Sequence, residues 1–558
     1  ASTQVKYSVH RLKKNKMLNI VLLFGFLFVV ECGKPTLSDP RGLFNVMEDE
    51  FKAILQEDYV HGSVWPKPLH ENRNEVYYAI NPEKFSFDIS ESQQSDVLTA
   101  AVVRYKSITF PDPFMVAEPS LESVTSLIIT VKEPMEPMNL ETDESYTLVV
   151  KGGASLLSAN TVWGALRGLE TFSQVVYQNA SGNYFVQQNE IDDAPRFNHR
   201  GFLIDTSRHY VSLSIIYQFL DALAYSKYNV FHWHIVDDQS FPYVSKAFPN
   251  LHLQGAYNNK THIYTPEDVQ NVIEYARLRG IRVLPEFDTP GHTQSWFSVK
   301  DLLTPCYSSG KPNGNYGPIN PTIESNYKFL EDFFSEVSRV FPDKYLHMGG
   351  DEVSFDCWKS NPDITSWMAS HGMGSNYSLL EQYYEQRLLD IIGKLGKGYV
   401  IWQEVVDNQV KVQADTVVNV WIDGWQNELA RVTNLGYHVI LSSPWYLNYI
   451  SYGPDWPSYY NADPQNFNGS DAQKKLVIGG TACMWGEWVD GTNLIPRTWA
   501  RGLSVAERLW SPKETRDISD ATRRIWEHRC RYLRRGIQAE NVVQSKYCRH
   551  EWINTHDL

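Results

Sequence analysis

The sequence predicts an α/β protein, a TIM (β/α)8 barrel preceded by a smaller α+β domain, and three observations carry that prediction. Eight short apolar runs recur between Gly201 and Thr481. Stretches with apolar residues at helical spacing separate them. Charged or aromatic residues follow each run. Eight parallel strands with crossover helices close into a barrel, and the loops after its strands build the reactive face.

The expected strands are Gly201–Ile204, Asn229–Ile235, Ile281–Phe287, Tyr345–Met348, Tyr399–Trp402, Thr416–Trp421, His438–Leu441 and Leu476–Thr481. Between them, Ile215, Ile216, Phe219, Leu220 and Leu223 fall on one helical face. Thr265-Pro266-Glu267-Asp268 reads as a capped start for a helix carrying Val269, Val272, Ile273 and Ala276, closed by Gly280. Before the barrel, Ser126–Val131 and Tyr146–Val150 read as strands and Ser158–Val175 as a helix. Asp192–Asn198 reads as a linker. The organisation expected is a leader and signal in 1–33, an α+β domain in 60–195, the barrel in 196–520 and a helical tail in 521–558.

At 558 residues the chain is long enough for two packed units. A net charge of −14 argues against nucleic acid as partner, since such binders carry basic stripes. The aromatic surplus fits either core packing or stacking on sugar rings; the positions of the tryptophans must decide. Arg11, Lys13, Lys14 and Lys16 precede an apolar run from Leu18 to Val30, too short for a comfortable membrane span and flanked as a secretory signal is. Met17 is then the expected start and cleavage is expected near Cys32–Gly33. No stable membrane span is expected.

Export makes the cysteines readable. With Cys32 removed, five remain, which suits two disulfides and one free thiol. The expected pairs are Cys530 with Cys548, across a short loop, and Cys306 with Cys357. Sequons at Asn179, Asn259, Asn376 and Asn468 suit N-glycosylation, whereas Asn320 is followed by proline.

The strand ends carry the chemistry. In order they offer Asp205 and Arg208; Asp237; Glu286, Asp288 and His292; Asp351 and Glu352; Trp402 and Glu404; Trp421 and Asp423; Tyr446; and Trp485 with Glu487. A mouth of carboxylates and tryptophans suits glycoside chemistry, in which a carboxylic acid protonates the leaving oxygen and indole faces hold the pyranose. In His347-Met348-Gly349-Gly350-Asp351-Glu352, two glycines permit a sharp turn and close substrate approach. Adjacent carboxylates cannot flank one bond from opposite sides, so unequal roles follow: one acid, one orienter.

The segments HRGFLIDTSRHY (199–210), HWHIVDDQSFP (232–242), LPEFDTPGH (284–292), HMGGDE (347–352), SPWYL (443–447) and WGE (485–487) resemble the eukaryotic lysosomal β-hexosaminidases of glycoside hydrolase family 20. The resemblance implies a retaining exo-β-N-acetylhexosaminidase acting on terminal β-linked GlcNAc or GalNAc. Glu352 is implied as general acid/base, while the substrate's own 2-acetamido oxygen attacks the anomeric carbon to give an oxazolinium intermediate. Asp351 would accept the acetamide N–H, and Tyr446 would hydrogen-bond its oxygen. Trp402, Trp421 and Trp485 would cage the methyl group and ring. Arg208 and Glu487 would grip ring hydroxyls, and His292 with Asp237 would form a relay behind Glu352.

Asn448 stands where the family's β-type subunit has Asp and its α-type has Asn, but Tyr449 replaces the Arg that follows in the α-type. Acceptance of anionic sugars is thereby in question. No metal or organic cofactor is implied. The family implies a homodimer and a lysosomal or secreted location.

Two rivals use the same barrel. A zinc amidohydrolase could use His232 and His234 but needs further His ligands on later strands, which here carry Trp, Tyr and Glu. A non-catalytic glycan-binding or cell-surface protein would tolerate damage at Glu352, Asp351 or Tyr446, and all three are intact.

Overall fold

The computed structural model describes residues 61–90, 95–112, 121–179, 182–544 and 546–548. The leader, the signal segment and Cys32 lie outside the described residues. Residues 60–558 form one compact unit.

The chain first builds a seven-stranded mixed sheet from β1 (His70–Ile80), β2 (Ser86–Ile89), β3 (Val124–Glu133), β4 (Tyr146–Val150), β5 (Gly153–Thr161), β6 (Tyr177–Gln178) and β7 (Tyr184–Asp193). The strand order is β1-β7-β4-β5-β3-β2, with β6 on β7. Helices Asp96–Thr109 and Val162–Val175 bury Val97, Leu98, Leu166 and Leu169 in one core with Leu127, Ile129, Leu148 and Leu157 of the sheet.

The helix expected over Ser158–Val175 and the linker expected over Asp192–Asn198 both differ from the structure. Residues 158–161 end strand β5, and the helix begins only at Val162, after Thr161 caps it by accepting from the Gly164 N–H. The alternating burial of Leu157, Ala159 and Thr161 is a strand's period of two, so the helical spacing read across that junction joined two elements. Asp192 and Asp193 likewise belong to β7 and not to the connection that follows it.

The barrel strands are β8 (His199–Asp205), β9 (Val230–Val236), β10 (Arg282–Phe287), β13 (Tyr345–His347), β14 (Gly398–Trp402), β15 (Val417–Val420), β16 (His438–Leu441) and β17 (Val477–Met484). All pair in parallel and close in the order β10-β13-β14-β15-β16-β17-β8-β9. The hairpin β11 (Leu303–Ser308) and β12 (Lys311–Ile319) interrupts the run after β10. A Cys306–Cys357 disulfide ties this hairpin to helix Asp356–Ser360, and Cys530–Cys548 closes the chain end onto helix Ile518–Arg534. Cys483 is a free, buried thiol.

Helix Pro266–Arg277 has the full capping box, Thr265 accepting from the Asp268 N–H while the Asp268 carboxylate accepts from Thr265. Its Val269, Val272 and Ala276 pack on the barrel, as do Ile216, Phe219, Leu220 and Leu223 of helix Leu213–Tyr225. Inside the barrel the layers differ in chemistry. Val230, Leu284, Tyr345, Val400, Val417 and Ile440 plug the N-terminal end. A polar layer of His232, His234, Glu286 and His347 sits toward the other end, and an aromatic group forms the mouth.

Buried ion pairs bind the first sheet to the closed end. Glu144 accepts from Arg167 at 2.7 Å and from Arg200 at 2.6 Å, and Lys227 pairs with Asp193 at 2.9 Å. Removing one partner of such a pair strands a charge in the interior. The rigid platform thus lies opposite the mouth, which stays open. Among the described residues, no helix is long and apolar enough to cross a membrane.

Candidate active site

At the end of β13 the chain turns through Gly349 (φ +70°) and Gly350 (φ +96°). A Cβ on Gly349 would lie 1.7 Å from the Asp288 carboxylate, and one on Gly350 would lie 2.4 Å from Val405. Both positions therefore require glycine. The Gly350 N–H donates to Asp288 at 2.9 Å, which fixes the turn against the end of β10.

The two carboxylates that follow diverge. Asp351 is buried, and its Oδ1 has no hydrogen-bond partner among the described residues. The side chain of Glu352 is 59% exposed at the rim. Glu352 and His292 hold φ of 53° and 55°, a left-handed backbone that non-glycine residues adopt only where their surroundings impose it.

His292 is the hub. Its Nε2 lies 3.7 Å from Glu352, 3.8 Å from Asp351 and 4.0 Å from Asp288. Its Nδ1 lies 3.2 Å from Asp237. Burial would lower the imidazole, but the Asp237 hydrogen bond and the charges of Asp351 and Asp237 outweigh it and push it up to about 9. Asp237 is held well below the usual carboxylate range: burial opposes this, and His234 and His292 overcome it. Burial raises both Asp351 and Asp288; the charges of Asp351 and Glu286 raise Asp288 further, whereas at Asp351 the His292 charge and the contact with Asp288 pull the other way.

Arg208 reaches both Asp205 (2.9 Å) and Asp237 (3.0 Å) and lies over the Trp485 ring at 5.2 Å. Its Nε remains without a partner among the described residues, so the ion pairs leave it a donor for a ligand. Glu487 is exposed beside it and adds negative charge to its surroundings.

Four aromatic side chains wall the mouth. Trp402 and Trp485 stand 6.2 Å apart, Tyr446 and Trp485 6.4 Å, and Tyr446 stacks on Trp421 at 6.2 Å. Trp402 and Trp421 meet edge-on at 6.5 Å. The Tyr446 loop is pinned to β17 by the Leu447 N–H, which donates to the Cys483 carbonyl at 2.8 Å. Burial pushes the Tyr446 phenol up, so it remains a hydrogen-bond donor. Asn448 has a buried Oδ1 without a partner among the described residues, and Tyr449 beyond it is exposed.

Three groups at the site went unassigned in the sequence. Asp238 accepts from the Gln294 N–H at 2.9 Å and sits beside Asp237, raised by burial; the doublet Asp237-Asp238 was its only signal. Glu404 is pushed up to about 8, by burial and then by Asp351, and receives the Trp421 indole N–H. Glu286 lies beneath the site among three histidines. His232, Glu286 and His347 bring possible ligand atoms within 4.8 Å of one another, but Glu286 already accepts from Trp402 and pairs with His232. A separate cleft of about 540 Å³, lined by Met135, Met138, Trp163 and Tyr345, lies at the closed end of the barrel and far from these groups.

Comparison with known proteins gives the same picture. The catalytic domain of glycosyl hydrolase family 20 matches residues 197–513, and a "beta-acetyl hexosaminidase like" domain matches residues 64–175. The chain is 50% identical to beta-hexosaminidase subunit alpha of Bos taurus over 509 residues, covering 88% of this chain and 96% of that one. It is also 50% identical to human beta-hexosaminidase subunit beta over 503 residues, covering 88% and 90%. The X-ray structure of Flavobacterium johnsoniae chitobiase superposes with a TM-score of 0.75 at 29% identity, covering 85% of this chain and 73% of that one. With both domains matched in order and curated relatives at 50% identity across most of the chain, this chain belongs to glycosyl hydrolase family 20.

Proposed function

We propose that the chain is a retaining exo-β-N-acetylhexosaminidase that releases terminal β-linked GlcNAc or GalNAc from glycoconjugates by substrate-assisted catalysis. The observation that carries this reading is the divergence of the two adjacent carboxylates. Glu352 stands at the open rim with His292 behind it, and Asp351 is sunk beside the aromatic walls.

Glu352 protonates the glycosidic oxygen as the leaving group departs. The acetamide oxygen attacks the anomeric carbon, and an oxazolinium ion forms. Asp351, whose Oδ1 is unengaged, accepts the acetamide N–H and stabilises the positive charge that develops there. Tyr446 donates its phenolic hydrogen to the acetamide oxygen and aims it. Trp402, Trp421 and Trp485 enclose the methyl group and shed water from it. Arg208, Asn448 and Glu487 hold ring hydroxyls. Water then attacks C1 with Glu352 as general base, and retention follows from two inversions. With Asn448 and Tyr449 beside the ring, the site offers neither the repelling Asp nor the pairing Arg, which favours neutral glycans.

The enzyme works in a lysosomal or secreted setting as an N-glycosylated homodimer. Exposed Asn259, Asn376 and Asn468, together with the half-buried Asn179, are the acceptor sites. Tyr449, Ile450 and Tyr452 after β16 and Trp488 after β17 are exposed apolar side chains, a surface that suits a second copy.

The test is nitrophenol release from 4-nitrophenyl β-GlcNAc and β-GalNAc between pH 4 and 7, for wild type and Glu352→Gln. Cleavage by wild type with a loss of about 10²–10⁴-fold in the variant supports the reading. A folded, glycosylated wild type that cleaves neither sugar ends it, and a glycan-binding protein on this barrel becomes the account.

A further inference from the structure

Glu286 is a fully buried carboxylate that the reaction as drawn does not use. It projects from β10 into the polar layer of the barrel. His232 and His234 face it from β9 at 2.8 and 2.9 Å, and His347 faces it from β13 at 3.4 Å. From β14, the Trp402 indole N–H donates to its Oε1 at 2.8 Å. The Cys483 thiol of β17, the Tyr446 phenol and the carboxylates of Asp288 and Asp351 are further titratable groups near it.

The position of His234 is distinctive. Its Nε2 hydrogen-bonds Asp237 at 2.7 Å, and its Nδ1 makes an ion-pair contact with Glu286 at 2.9 Å, outside hydrogen-bond alignment. A neutral imidazole has one N–H and one lone pair, so a ring with a carboxylate oxygen at each nitrogen is accommodated best as the imidazolium. The order of charges is then Glu286 negative, His234 positive, Asp237 negative, and beyond Asp237 the cations His292 and Arg208. The rows of side chains run from the barrel's interior to within 3.7 Å of Glu352. The same Glu286 fixes Trp402, one wall of the sugar-binding mouth.

We propose that Glu286, acting through His234, is a positioning residue that couples the two halves of the site: it holds the Asp237–His292 pair behind the catalytic acid and orients the Trp402 wall. The inference rests on the roles of Glu352 and His292 given above. Burial would raise Glu286, and the histidines around it hold its carboxyl well below the usual range. Burial would lower His234, and its two carboxylate neighbours push it up to about 10. His347, by contrast, is pushed down to about 3 by burial.

The decisive variant is Glu286→Gln, which keeps the volume and an acceptor for Trp402 but removes the charge. kcat should fall by about 10- to 100-fold with KM changed less than threefold. The alkaline limb of kcat/KM should move down by about one pH unit, because the imidazolium loses a stabilising charge. His234→Gln should lower kcat to a similar extent, but because it removes a positive charge near His292 it should not move the alkaline limb down. Trp402→Phe, which cuts only the other bond of Glu286, should raise KM and leave the limb where it is. A Glu286→Gln enzyme that is merely less stable, with an unshifted pH profile, overturns the inference. If both charge variants fail to fold, ¹⁵N-histidine spectra of the wild type decide: two rings, those of His234 and His292, should stay doubly protonated at pH 8, and a spectrum with fewer than two rejects the relay. The wild-type and Glu352→Gln assay separates the two failures, since loss of wild-type cleavage removes the enzyme reading itself.

Discussion

The indole N–H of Trp421 is shared between both oxygens of Glu404, at 3.1 and 3.0 Å. One carboxyl group, pushed up to about 8, therefore sets the angle of one wall of the mouth. Glu404→Leu leaves the indole without its acceptor, and a hydrogen bond of about 1 kcal/mol corresponds to a roughly fivefold effect. We expect KM for the nitrophenyl glycosides to rise by about that factor, with kcat less affected. Glu404→Gln keeps an acceptor and should match wild type at pH 5. Steady-state kinetics on the three proteins measures both outcomes.

Gly349→Ala should abolish activity without unfolding the barrel. Its Cβ would fall 1.7 Å from the Asp288 Oδ1, and its φ of +70° strains any L side chain. Either the turn or Asp288 must move, and Glu352 rides on that turn. A displacement of about 1 Å at a reacting group can cost ~10²-fold in rate. Circular dichroism with kinetics distinguishes this from general misfolding, and near-wild-type kcat would contradict it.

Glu385 offers a test of pH linkage away from the reaction. It is 1% exposed, neither oxygen has a hydrogen-bond partner among the described residues, and the carboxyls nearest it are Glu381 and Asp351. Tyr384, beside it on the same helix, is also buried. Burial, and then those two acids, keep its proton on well above the ordinary range. The unfolded chain ionises this group near its ordinary value of about 4.5, so native stability falls as pH rises above that point. Glu385→Gln removes the slope. Its Tm should equal wild type at pH 4 and exceed it by about 1–4 °C at pH 7; parallel Tm curves would refute this.

His292 has the opposite sign. Its folded value of about 9 exceeds the ordinary 6.5, so its stabilising contribution is complete below about pH 6.5 and fades as pH rises through 9. His292→Gln should lose about 10²–10⁴-fold in kcat. Its Tm deficit should be largest at pH 5 to 6 and shrink by pH 9, as read by calorimetry across that range. A deficit independent of pH would mean that packing, not the ion pairs with Asp237 and Asp351, accounts for it.

The sequence by itself determined the barrel and the membership of its mouth. Apolar runs such as His438–Leu441 and capped helices such as Pro266–Arg277 are local devices, readable from a few consecutive side chains. Because loops after parallel strands all open on one face, Asp237, His292, Asp351, Glu352, Trp402, Tyr446 and Trp485 could be grouped there before any distance was known. The junction at Thr161 was not legible, since strand and helix share apolar residues across it and only the burial pattern separates their periods.

Tertiary structure alone decided how charge is arranged. That His234 lies between Asp237 and Glu286, that Asp351 is sunk while its neighbour Glu352 is exposed, and that Glu404 holds Trp421 depend on how the strands meet in the closed barrel. Electrostatic coupling is set by separation and burial, and a position in sequence encodes neither until the barrel closes.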